Sequence, residues 1–65
     1  MILVNGDPSG VAPGTTVREL LDVLDAPDRG VAVAVDGEVV PRGAWAATAL
    51  ADETRVEVVM AVQGG

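Results

Sequence analysis

Thr16-Val17-Arg18-Glu19-Leu20-Leu21-Asp22-Val23-Leu24-Asp25 decides how this chain folds. Thr16 and Glu19 have the spacing of a capping box, in which the Thr hydroxyl and the Glu carboxylate each satisfy an N–H left without a partner at a helix start. Behind them Val17, Leu20, Leu21 and Leu24 recur at i, i+3, i+4 and i+7, one apolar stripe on a helical period. Arg18, Glu19, Asp22 and Asp25 fall mainly off that stripe. The spacing predicts one amphipathic helix from about Val17 to Asp25, closed by Pro27 and Gly30.

On its N-terminal side, Met1-Ile2-Leu3-Val4 is a short apolar run ending in the turn dipeptide Asn5-Gly6. Apolar residues at successive positions suit a strand in the middle of a sheet or covered on both faces. Pro8, Gly10, Pro13 and Gly14 leave room for at most a short edge strand near Val11-Ala12. On its C-terminal side, Val31-Ala32-Val33-Ala34-Val35 alternates large and small. The favoured type I′ pair Asp36-Gly37 follows, and then Glu38-Val39-Val40. The valines of the first strand would pack under the helix, and Ala32 and Ala34 would look the other way. Pro41 ends the second strand because it has no N–H to donate.

Gly43 to Leu50, Ala-rich around Trp45, reads as a short helical turn ending in an apolar Leu50 plug, with Trp45 as a packing anchor over the sheet end. Asp52-Glu53-Thr54 is a turn. Arg55 to Val62 then forms the last strand, with Val56, Val58, Met60 and Val62 on one face and Glu57, Val59 and Ala61 on the other. The first and last strands, being the least polar, would be central and mutually parallel. The expected class is α+β: a mixed sheet of four to five strands with one main helix on one face and a short helical turn. That is the β-grasp arrangement.

Sixty-five residues suit one small domain spanning 1–65, with 62–65 expected as a flexible C-terminal tail. Without cysteine or histidine the chain has no staple, and its 49% of hydrophobic residues must hold it together by packing. Four scattered arginines (Arg18, Arg29, Arg42, Arg55) are the whole basic content of a chain of net charge -6, which argues against a nucleic-acid partner. The apolar runs fall far short of the roughly 20 residues a bilayer requires, and there is no signal-type segment. A cytoplasmic location and no membrane partner are therefore expected. Asp22, Asp25 and Asp28 read as a solvated helix face, and no metal site is expected.

With no Cys, His or Tyr, reactive side chains are nearly absent, so the chemistry falls to the main chain. Val62-Gln63-Gly64-Gly65 follows the last strand directly. A carboxylate behind two glycines is a handle for another enzyme, because residues without a Cβ can thread a narrow channel. Extended, Ala61 to Gly65 would reach roughly 16 Å into a cleft. The absence of Cys and Lys also removes internal nucleophiles that could intercept an activated acyl group.

Along its whole length the chain resembles the small sulfur carrier proteins of thiamine thiazole synthesis (the ThiS type), within the ubiquitin-like β-grasp superfamily. The resemblance lies in Val4-Asn5-Gly6, Thr16-Val17 with Glu19-Leu20-Leu21, Val31 to Val35, Val39-Val40-Pro41-Arg42, Trp45, Arg55-Val56-Glu57 and Ala61-Val62-Gln63-Gly64-Gly65. Asp36-Gly37 departs from an Asn that is frequent in the family, and Ala51 to Thr54 from a Gly-containing turn. Both departures fall at turns.

The resemblance implies a non-catalytic carrier that binds no cofactor of its own. A ubiquitin-activating-like adenylyltransferase (ThiF type) would join the Gly65 carboxylate to AMP, using ATP with Mg. A persulfide protein would supply sulfur to give a thiocarboxylate on Gly65, and a thiazole synthase (ThiG type) would receive it. Gly64, Gln63 and Val62 would line the partner channel. Val39, Val59 and Ala61, opposite the helix, would form a docking patch, with Arg42 either joining it or simply solvated. Other metabolite carriers, including the molybdopterin type, share fold and terminus. A ubiquitin-like protein modifier attached through Gly65, or a plain interaction domain with an inert end, would fit the same fold.

Overall fold

Thr16 caps the helix as its spacing predicts. In a computed structural model that describes residues 1–27 and 29–61, Thr16 Oγ1 accepts from the Glu19 N–H at 3.1 Å. Glu19 Oε1 accepts from the Thr16 N–H at 2.9 Å. Helix α1 spans Val17–Val23 and buries Val17, Leu20 and Leu21. It stops two residues short of the predicted end because Asp25 takes a left-handed conformation, φ 55°. The Asp25 N–H then reaches the Asp22 carbonyl at 3.1 Å and the Ala26 N–H reaches the Leu21 carbonyl at 3.0 Å. These two bonds are the Schellman closure, with Asp where Gly is usual. Gly30 therefore does not close the helix. Leu24, counted into the stripe from its spacing, sits past the last turn and is 37% exposed.

Five strands form one sheet: β1 Leu3–Val4, β2 Asp7–Pro8, β3 Val31–Val35, β4 Glu38–Val40 and β5 Arg55–Met60. Their order is β2-β1-β5-β3-β4. β5 lies in the middle, parallel to β1 and antiparallel to β3. The predicted central parallel pair is present, and one helix on such a sheet is the β-grasp arrangement.

Two strand expectations change, and one settles on one of its two alternatives. The edge strand is Asp7–Pro8, not Val11-Ala12. Asn5 and Gly6 are both left-handed (φ 51° and 86°), as a two-residue type I′ hairpin requires, so the chain returns at once to pair Leu3 with Pro8 and Val4 with Asp7. Proline is tolerated there because β2 is an edge. Val11 instead packs, half-buried, against the core. Second, the Met1 to Val4 run is central but covered on one face only: Ile2 and Val4 are buried, Met1 is exposed and Leu3 half-buried. Third, β5 ends at Met60, short of the expected Val62, and Met60 is exposed although it shares a face with buried Val56 and Val58.

The core joins Ile2, Val4, Val33, Val56 and Val58 of the sheet to Val17, Leu20 and Leu21 of the helix, with Trp45 and Leu50 completing it. Trp45 lies in a 3₁₀ segment, Arg42–Ala47, and its indole N–H donates to the Val40 carbonyl at 3.0 Å, so the one polar atom of a buried ring is satisfied. The chain after this segment holds the helix start. The Val17 N–H donates to the Thr48 carbonyl at 2.9 Å, and the Leu50 N–H to the Thr15 carbonyl at 2.8 Å. The helix is thus tied to the sheet by packing along its stripe and by main-chain bonds at its first turn.

Candidate functional site: the end of the central strand and the uncovered face

β5 carries the chain toward the expected carboxylate handle, so its last described residues fix where that handle begins. The Ala61 N–H donates to the Gly30 carbonyl at 2.6 Å, one step beyond the pairing of Val31 with Met60. Gly30 has φ 74°, and a Cβ there would meet the Ala61 Cβ at 3.3 Å. A side chain would be both strained and crowded, which explains a glycine at this position. Val62, Gln63, Gly64 and Gly65, the expected tail and modification site, lie outside the described residues, as does Asp28.

On its other edge β5 is held by a side chain. Asn5 Oδ1 accepts from the Val58 N–H at 2.8 Å, and Asn5 Nδ2 donates to the Val58 carbonyl at 3.1 Å. A related contact sits at the start of the strand, where Asp36 Oδ1 accepts from the Arg55 N–H at 3.0 Å. Asn-Gly and Asp-Gly predict turns. That the first residue of each would also hold the central strand carries no signal in local sequence, since the partners lie 53 and 19 positions away.

The expected docking residues fall largely where spacing predicts. Val39 pairs with Ala34, Ala34 with Glu57, and Ala32 with Val59. Directly opposed residues share a face, so all five point away from α1, and period two puts Arg55 and Ala61 beside them. Val39 and Val59 are exposed, as is Ala61. Ala32 and Ala34 lie between the two valines and keep that stretch low, while Arg55 and Glu57 charge its margin. Arg42 is exposed but opens the 3₁₀ segment after β4, off the strand register and at the rim of the sheet.

A second surface went unanticipated. On the helix side, at the same end as Ala61, Leu24, Pro8, Val58 and Met60 help to line a groove of about 370 Å³. Leu24 and Met60 have core spacing, and only the early end of the helix and of β5 leaves them outside. At the opposite end of β5 the Met1 amino group bonds to Asp52 and Glu53. The Asp52 bond raises the amine above its usual pKa and holds Asp52 below the usual carboxylate value. Among the described residues no group of three or more Asp or Glu could hold a metal ion, and no helix is long and apolar enough to cross a membrane. The described part of the molecule offers an exposed apolar face and the end of the central strand.

The sequence profile of the ThiS family matches residues 2–65. The chain belongs to that family. The sulfur carrier protein ThiS of Escherichia coli K12 is 36% identical over 64 residues, covering 98% of this chain and 97% of that protein. The crystal structure of the thiamine biosynthesis protein ThiS from Geobacter metallireducens matches with a TM-score of 0.80 at 39% identity, covering 98% of this chain and 97% of that one. A thiazole synthase of Paramagnetospirillum magneticum is 33% identical over 64 residues, which are 98% of this chain but 20% of that enzyme. A segment similar to this ThiS family member therefore makes up about one fifth of that synthase.

Proposed function

We propose that this ThiS family chain is a sulfur carrier in thiamine biosynthesis, itself non-catalytic, whose Gly65 carboxylate is activated, sulfurated and discharged by partner enzymes. The observation that carries this reading is the family match over residues 2–65, which runs through Gln63-Gly64-Gly65. A free carboxylate is a poor acyl donor, since its leaving group would be oxide. Attack of a Gly65 oxygen on the α-phosphorus of ATP, held with Mg by a ThiF-type adenylyltransferase, expels pyrophosphate and leaves an acyl adenylate. The terminal sulfur of a protein persulfide then attacks the carbonyl carbon, and AMP departs. A second thiol cleaves the resulting S–S bond, becoming the disulfide partner, and a thiocarboxylate remains on Gly65.

A thiazole synthase is the proposed acceptor, in keeping with a relative of that name that contains a similar segment. In this reading the exposed face around Val39, Val59 and Ala61, with Arg42 at its rim, docks on the adenylyltransferase. Val62, Gln63 and Gly64 occupy its channel. The chain's acidic balance of -6 favours a basic partner surface.

Deleting Gly65 tests the proposal. Adenylation by a ThiF-type enzyme with ATP is expected to vanish, with thermal stability little changed, because among the described residues every core side chain comes from residues 2 to 58. A truncated chain that is still adenylated would overturn the assignment. Intact mass after the full reaction should show one oxygen replaced by one sulfur.

A further inference from the structure

We infer that Asn5 is a positioning residue for the proposed acyl transfer, holding the end of β5 so that Met60 and Ala61 present one direction to a partner; the inference rests on the carrier reading above. Its basis is a gap in the β1·β5 ladder and the way that gap is filled. In this parallel pair the Leu3 N–H donates to the Thr54 carbonyl at 2.9 Å and the Asn5 N–H to the Val56 carbonyl at 2.8 Å. Continued by the same two-residue step, the Val58 N–H would donate to the main-chain carbonyl of residue 5, and the Val58 carbonyl would accept from the N–H of residue 7.

Neither can form, because residue 5 is left-handed and the chain turns back into β2. The Asn5 side chain supplies both substitutes. Its Oδ1 stands in for the missing carbonyl and its Nδ2 for the missing N–H, at 2.8 and 3.1 Å. A primary amide presents an acceptor and a donor side by side, as a peptide edge does. Asn is also among the few residues other than Gly that accept φ near 50° readily. The two requirements together select Asn over Gly and over Asp, which lacks the donor when ionised.

The functional weight comes from where the clamp sits. Among the described residues it is the last support β5 receives on the β1 side, two residues before Met60 and three before Ala61. On the β3 side the strand is held as far as the bond from Ala61 to Gly30. With both edges fixed, Met60 and Ala61 are held in line with the strand axis. Without the clamp, only the β3 edge would constrain Met60 and Ala61, and the direction they present to a partner would be less sharply set. Productive binding should weaken while chemistry in the bound state is unchanged, so the effect belongs in KM and not in kcat.

Asp36 provides a matched control within the same molecule. It heads the same kind of turn (φ 49°, with Gly37 at 86°) and bonds β5 through its side chain, but at Arg55, the far end from the exit. Asn5→Gly and Asp36→Gly both leave a Gly-Gly pair, which adopts a type I′ turn without strain. Steady-state adenylation is measured for both variants with a ThiF-type enzyme, beside the urea midpoint of each.

Asn5→Gly is expected to raise KM for the carrier by about tenfold with kcat unchanged, the scale of one or two lost hydrogen bonds. Asp36→Gly should lower the urea midpoint but leave KM within about twofold of the wild type, since it touches only the start of the strand. Equal changes in KM for the two variants, or none in Asn5→Gly, would reduce Asn5 to a stabilising contact and overturn the proposal. Amide exchange in the unmodified chain gives a second answer that does not depend on any variant folding. The Val58 amide should exchange slowly, and the Met60 amide faster; equal rates would remove the clamp. If the wild type is not adenylated at all, the carrier reading fails, and the exchange rates still decide whether Asn5 holds the strand.

Discussion

Val33 and Val39 are the same side chain on adjacent strands, yet Val33 is 1% exposed and Val39 76%. The two lie on opposite sides of the pleat, and α1 covers only one of them. On the covered face Ile2, Val4, Val33, Val56 and Val58 meet Leu20 and Leu21. Burying a side chain of this size contributes roughly 1.5–3 kcal/mol, so a 65-residue chain without a disulfide has its stability concentrated there. The other face carries Val39, Val59, Ala32 and Ala34 and has no cover among the described residues. One side of the sheet holds the molecule together, which leaves the other available to a partner.

The sharpest way to break this division is from the covered side. Leu21→Ala should cost about 2–5 kcal/mol in urea unfolding, because a nearly fully buried side chain leaves a cavity between helix and sheet. A loss near zero would mean that the stripe does not carry the fold. Next in size is the helix start. Thr16→Ala removes the acceptor for the Glu19 N–H and should cost about 1 kcal/mol in the same titration. An unchanged midpoint would show that the bonds from Val17 to Thr48 and from Leu50 to Thr15 are sufficient on their own.

The smallest effect on stability belongs to the uncovered face. Val39→Asp should stay within about 0.5 kcal/mol of the wild type while raising KM for the carrier in adenylation. A large loss of stability would place Val39 in the folding core. An unaltered KM would remove it from the docking surface.

Much of this was legible in the sequence because the signals were local. The capping box, the i, i+3, i+4 stripe through Leu21, the turns at Asn5-Gly6 and Asp36-Gly37 and the Pro41 stop each depend on a few neighbouring residues, and each appears as expected. The misplaced features break a residue-type rule or depend on a distant neighbour. Asp25 adopts a left-handed closure that composition assigns to Gly, and the helix ends early. Gly30 is required by Ala61, 31 positions away, and not by the helix. The edge strand begins directly after Gly6 because a two-residue turn leaves no slack, despite a proline at its second position.

For the candidate site, alternation along β3 and β5 located the uncovered valines. It could not reveal the pairing of Asn5 with Val58, which exists only once the first and last strands lie side by side.

One feature of the sheet bears on mechanical load. The last strand, which ends one residue before Ala61, is the middle one, parallel to β1 and antiparallel to β3. A tug applied beyond Ala61 and directed along that strand pulls across its hydrogen bonds in shear, loading them together instead of peeling them off one by one. If a partner enzyme grips the chain there, as the proposed function requires, the load would fall on the whole ladder at once and the small domain would stay intact.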